Sequence, residues 1–130
     1  MTGPGSHGGA NRADKGARAY LAGLAAEEQV ERRYRAQGCQ LAARRWRGSI
    51  GEIDLIFRQG DLLIFVEVKQ SASFATAAEH LTAAQQQRIW RTASEYLADE
   101  PGGQDSLVRL DVALVDGQGR IEVIEQAIDG

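Results

Sequence analysis

Hydrophobic positions along the chain first recur with a helical period. Ala22, Ala26, Val30 and Tyr34 return every fourth position among good helix formers, and Gly38 stands where a helix stops, so a helix is predicted over about 18–37. Residues 1–19, with scattered small residues and Gly8-Gly9, lack periodicity and have almost nothing to bury; they are expected as a mobile tail. The period then changes. Gln40 to Arg47 reads as a strand and Gly48-Ser49 as a turn. Ile53, Leu55 and Phe57 alternate with Glu52, Asp54 and Ile56, and after Gln59-Gly60-Asp61 comes Leu62-Leu63-Ile64-Phe65-Val66-Glu67-Val68-Lys69, which completes a hairpin. The unbroken apolar run 62–66 predicts a strand covered on both faces. Residues 70–77 read as a loop, and 78–98 as a second helix with Leu81, Ile89, Ala93, Tyr96 and Leu97 near one stripe, ended by Pro101-Gly102-Gly103. Leu107 to Val115 and Ile121 to Ile124 are two further strands around Asp116-Gly117-Gln118-Gly119. The order α-β-β-β-α-β-β, without repeats, predicts one α/β domain over 20–130, a central mixed β-sheet flanked by helices.

The hairpin gathers acids. Glu67 and Lys69 are two apart on one strand and share a face, while Val66 and Val68 point to the other. If Gly60-Asp61 forms a two-residue loop with glycine first, Asp54 faces Glu67; if Gln59-Gly60 is the loop, Glu67 is its diagonal neighbour. Either register leaves both carboxylates on one face, roughly 5–7 Å apart at Cβ. Two acids beside an apolar strand repel each other and lose hydration, and a divalent cation relieves both penalties. Oxygen-only ligation fits Mg²⁺ or Mn²⁺, which could polarise a phosphate oxygen and activate a water, with the Lys69 ammonium stabilising charge on the phosphoryl group. The competing reading is a solvent-facing hairpin on which Glu52, Asp54, Glu67 and Lys69 make cross-strand ion pairs.

Composition removes several classes. The 130 residues are 43% hydrophobic and 25% charged, which excludes wholesale disorder. Cys39 is the one cysteine and His7 and His80 the two histidines, so neither an intrachain disulfide nor a Cys/His zinc site can form. No apolar stretch approaches the roughly 20 residues of a membrane span, so a cytoplasmic protein without membrane partners is expected. The net charge of −3 hides an asymmetry: residues 1–50 hold nine Arg/Lys against four acids, and residues 51–130 hold six against fourteen. Arg32, Arg33, Arg35, Arg44, Arg45 and Arg47 form a run free of acids that could grip phosphates, or could be a solvated helix face and strand edge. Trp46, among arginines, is the better candidate for contact with unpaired bases, whereas Trp90 lies just off its helical stripe and fits packing.

Gly51-Glu52-Ile53-Asp54-Leu55-Ile56, the hairpin, and Phe65-Val66-Glu67-Val68-Lys69 together resemble the bacterial YraN family, also known as UPF0102, a group of predicted endonucleases with a restriction-endonuclease-like fold. The resemblance spans about 26–126 and includes the Arg45-Trp46-Arg47 strand and Arg109-Leu110-Asp111-Val112. It implies a helix acid, an Asp and a Glu-x-Lys, here Glu27, Asp54, Glu67 and Lys69, serving a Mg- or Mn-dependent phosphodiesterase of DNA, with branched or structured substrates included. Asp54 and Glu67 would hold the metal, and Arg44, Arg45, Trp46, Arg47 and Gln70 would contact nucleic acid. Glu27 shares a helix face with Glu31 and Tyr34 and could reach toward Asp54, although a Glu early in a helix also simply suits the helix dipole. The chain departs from the family pattern at Gln70-Ser71, where Thr and a basic residue are usual, at Gln85, where Lys is usual, and at Ala26, where Gly is frequent. A homodimer would supply two sites for two strands. The alternatives are a non-catalytic nucleic-acid-binding module of the same fold and a protein-interaction domain.

Overall fold

In the computed structural model, which describes residues 4–128 and side chains over 15–128, the elements are α1 (Pro4–Ala36), β1 (Gln40–Arg47), β2 (Glu52–Gln59), β3 (Leu62–Gln70), α2 (Phe74–Glu79), α3 (Ala83–Leu97), β4 (Leu107–Val115) and β5 (Ile121–Ile124). The strands form one five-stranded sheet in the order β1-β2-β3-β4-β5, antiparallel except for the parallel β3–β4 pair. A parallel pair needs a crossover, and α2 and α3 supply it. The expected α/β architecture and element order are thus present, and residues 62–66 are covered on both faces: Leu63 and Phe65 pack toward α2 and α3, Ile64 and Val66 toward α1.

Two segments differ from expectation. The single helix predicted over 78–98 is two helices, and α2 occupies part of the predicted loop 70–77. The cause is local: Ser73 Oγ accepts from the Thr76 N–H and Thr82 Oγ1 accepts from the Gln85 N–H, each at 3.2 Å, so each helix has its own N-cap. Helix α1 begins at Pro4, ahead of the predicted start near 18. Residues 15–21 on it are exposed, in keeping with the lack of an apolar stripe there, and residues 1–3 of the expected tail lie outside the described residues.

The end of α1 follows its sequence. Gly38 takes φ +89°, the Cys39 N–H reaches the Tyr34 carbonyl and the Gly38 N–H the Arg35 carbonyl, the double bond of a glycine-terminated helix. This turns the chain into β1 and lays α1 across β1–β3. Tyr34 stacks on Phe57 with centroids 4.6 Å apart, and its hydroxyl donates to Asp111 at 2.6 Å. Asp111, with no exposed side-chain surface, also receives two bonds from Arg109 and one from the Gln126 N–H, which ties α1, β4 and the C-terminal segment together. Among the described residues, no helix is long and apolar enough to cross a membrane.

Candidate functional site

The hairpin register decides where the acids lie. Gly60 takes φ +60° while Asp61 does not share a positive φ, and Gln59 pairs with Leu62. That is the glycine-first two-residue loop, which sets Leu55 opposite Val66 and, one step further, Asp54 opposite Glu67. The β2–β3 ladder stops at Leu55–Val66. Beyond it β2 stays with β1 as far as Glu52 and β3 stays with β4 as far as Gln70, so the two central strands fork.

Asp54 sits in this fork. Its Oδ2 accepts the Val68 N–H at 2.8 Å, a backbone donor freed where the ladder ends. Burial raises the Asp54 carboxyl to about 8; the adjacent Glu67 carboxylate pushes the same way, against the weaker pull of the Val68 N–H and the Lys69 ammonium. Lys69 Nζ stands 3.2 Å from Glu67 Oε2, and the two side chains keep only 17% and 13% of their exposure. Glu67 and Lys69 therefore share a face as expected, while Val66 and Val68 join the core under α1. An exposed hairpin of cross-strand ion pairs does not describe this arrangement. Among the described residues no ion pair joins β2 to β3; Glu52 instead pairs with Arg47 of β1 at 3.3 Å.

Glu27 approaches from α1. Burial raises its carboxyl, the Arg45 guanidinium at 3.0 Å lowers it, and the charge of Asp54 raises it again, so the helix acid lies within electrostatic reach of Asp54. Arg45 reaches it from an unusual backbone. It takes φ +45° at the point opposite Asp54, which turns both Arg44 and Arg45 toward α1.

The arginines are not free as a group. Arg44 and Arg35 both bind Glu31, whose carboxyl is lowered chiefly by the Arg44 hydrogen bond. Arg45 is held by Glu27 and Arg47 by Glu52, so a run free of acids in sequence is met by acids from α1 and β2 in space. Trp46 points the other way: it is half-buried, edge-on to Tyr96 at 5.2 Å, and packs against the core beneath α3. Trp90 packs on that core too. Gln70 is exposed at the end of β3, beside a cavity of about 190 Å³ that it shares with Ala22, Ala26, Gln29 and Asp116.

The donor set fits a hard divalent cation. Asp54, raised by burial and by the neighbouring Glu67 carboxylate, would be relieved by a cation, and both carboxylates offer oxygen. Among the described residues no group of three or more His, Cys, Asp or Glu converges, so the pair would hold an ion that keeps several waters, the habit of Mg²⁺ and Mn²⁺. Sequence reasoning missed Ile50 and Arg88, which border Glu67 on the α3 side. Neither belongs to a motif, and only the packing of the 48–51 turn against α3 reveals them.

Relatives carry the same assignment across the whole domain. A UPF0102 protein of Ruegeria pomeroyi is 56% identical over 115 residues, 88% of this chain and 94% of the relative. One from Dinoroseobacter shibae is 53% identical over 113 residues, 87% and 84% of the two chains. One from Roseobacter denitrificans is 46% identical over 117 residues, 90% and 91%. The profile described as "Uncharacterised protein family UPF0102" matches residues 26–115, and the chain belongs to that family.

Proposed function

We propose that this protein is a Mg- or Mn-dependent nuclease that hydrolyses phosphodiester bonds of DNA, with Asp54 and Glu67 as metal ligands. The observation that carries this reading is the carboxylate pair packed into the β2–β3 fork, with Asp54 raised to about 8 and no guanidinium paired with either acid among the described residues. Such a pair is costly unless a cation completes it. The bound ion would polarise a phosphate oxygen and supply an activated water at neutral pH. Lys69, anchored on Glu67, would stabilise the negative charge that develops on the phosphoryl group. Glu27, fixed by Arg45, adds a carboxylate on the α1 side of the fork, near Asp54. The pairing of Arg44 and Arg45 with Glu31 and Glu27 gives a purely arginine-driven binding module less support.

The test is incubation of the purified protein with branched, single-stranded and duplex DNA, with and without Mn²⁺. Metal-dependent cleavage is expected, and Asp54→Ala should lower it at least about a hundredfold. Cleavage at full strength in that variant would reject the site.

A further inference from the structure

The turn between β1 and β2 is fixed on α3 rather than free. Glu95 accepts both the Ser49 N–H, at 2.8 Å, and the Ser49 hydroxyl, and the Gly48 N–H closes the turn on the Gly51 carbonyl at 2.8 Å. At Gly51 a Cβ would come within 2.8 Å of Arg88 Cγ and 2.9 Å of Thr92 Oγ1, so only glycine allows the turn to lie this close to the helix. The result is a rigid turn that holds Ile50 in solvent, 48% exposed. A single exposed isoleucine is ordinary. This one borders a cavity of about 190 Å³ whose wall includes Glu67 of the metal pair, with Ile89, Gln85 and Arg88 of α3 opposite.

Gln85 has an unusual position in that wall. Thr82-Ala83-Ala84-Gln85 has the Thr-x-x-Gln spacing in which the glutamine folds back on the cap N–H. Thr82 does cap the helix through the Gln85 N–H, yet the Gln85 Oε1 is buried without any hydrogen-bond partner, alone in this respect among the described residues. A buried acceptor left without a donor is costly, and a ligand with an N–H group would recover that cost. Arg88, exposed and without an ion-pair partner among the described residues, is one turn further along the same face. The acids in the wall are already answered, Glu52 by Arg47 and Glu67 by Lys69.

Resting on the nuclease reading, we infer that this cavity receives an unstacked nucleobase next to the scissile phosphate. An amino group on the base donates to Gln85 Oε1, Ile50 and Ile89 cover its faces, and Arg88 holds the adjoining phosphate. Apolar wedges and small pockets with one or two polar contacts are how proteins keep a base out of its stack. The substrate class is thereby narrowed to DNA with an unpaired or easily extruded nucleotide at the cut.

The experiment uses the full chain and a branched oligonucleotide carrying 2-aminopurine, a fluorescent base with an amino group, at the branch, in metal-free buffer. Binding should raise the fluorescence as the base leaves the stack. Gln85→Leu, which keeps the size and removes the acceptor, and Ile50→Ala should each weaken the fluorescent binding about five- to tenfold, with unchanged thermal midpoints. Arg88→Ala should flatten the salt dependence of binding by about one charge. Bound oligonucleotide with no fluorescence change, or Gln85→Leu binding as tightly as the parent, overturns the inference. Mn²⁺-dependent cutting is measured on the same preparations: cutting without the fluorescence change removes the base pocket alone, and the fluorescence change without cutting removes the nuclease reading alone. No binding at all removes the pocket.

Discussion

Asp111 and Asp54 are carboxylates on strands of one sheet, the first fully buried and the second partly so, and they are treated in opposite ways. Asp111 receives four hydrogen bonds, from Tyr34, Arg109 twice and Gln126, which fills the capacity of a carboxylate. Asp54 receives one backbone N–H and faces another carboxylate. The first is a finished structural joint. The second is left with a single donor and a like-charged neighbour, which is why its carboxyl is raised to about 8.

The widest gap between them should appear on truncation. Asp111→Ala leaves the buried Tyr34 hydroxyl without its acceptor and Arg109 with only its longer pair to Glu125, and should cost about 3 kcal/mol in denaturant unfolding. Asp54→Asn should cost nothing comparable at neutral pH, because it removes a charge the fold does not want.

The pH dependence separates them next. Asp54 is raised from its ordinary 3.8 to about 8, so the folded state holds a proton that the unfolded chain gives up. Its penalty is absent below about pH 4, grows as pH rises, and is complete above about pH 8. Unfolding measured without metal should therefore show stability falling by a few kcal/mol across that window, and Asp54→Asn should flatten the fall.

Metal should reverse the sign. Mn²⁺ at about a hundred times its dissociation constant should add about 2.7 kcal/mol near pH 8, seen as a raised thermal midpoint, and Asp54→Ala should abolish the gain. The smallest effect belongs to Arg47→Ala. Its pair with Glu52 is 3.3 Å long and the arginine is 82% exposed, so stability should stay within about 0.5 kcal/mol, while DNA binding loses about one charge of salt dependence.

How much of this could be read from the sequence depends on how far the cause lies along the chain. The apolar run Leu62–Val66, the glycine-first loop and the Glu67–Lys69 spacing are local signals, and they place the acid pair. The break between α2 and α3 is local as well, marked by Ser73 and Thr82 as caps, but the shared apolar stripe of Leu81, Ile89 and Ala93 obscures it. What stayed hidden was made by distant partners. Arg44 and Arg45 look unopposed until β1 is laid beside α1, and Arg45 reaches Glu27 from a backbone conformation that no propensity anticipates. Trp46 looks like a base platform until Tyr96, far along the chain on α3, takes its edge.

The parallel β3–β4 pair carries a consequence for how the molecule comes into being. Leu62 pairs with Leu107 and Lys69 with Leu114, so the strand bearing Glu67 gains its second neighbour only after the crossover helices and β4 have been synthesised. A growing chain on the ribosome can close the Gly60 hairpin early, but the Glu67 strand is paired on both sides only once β4 has emerged.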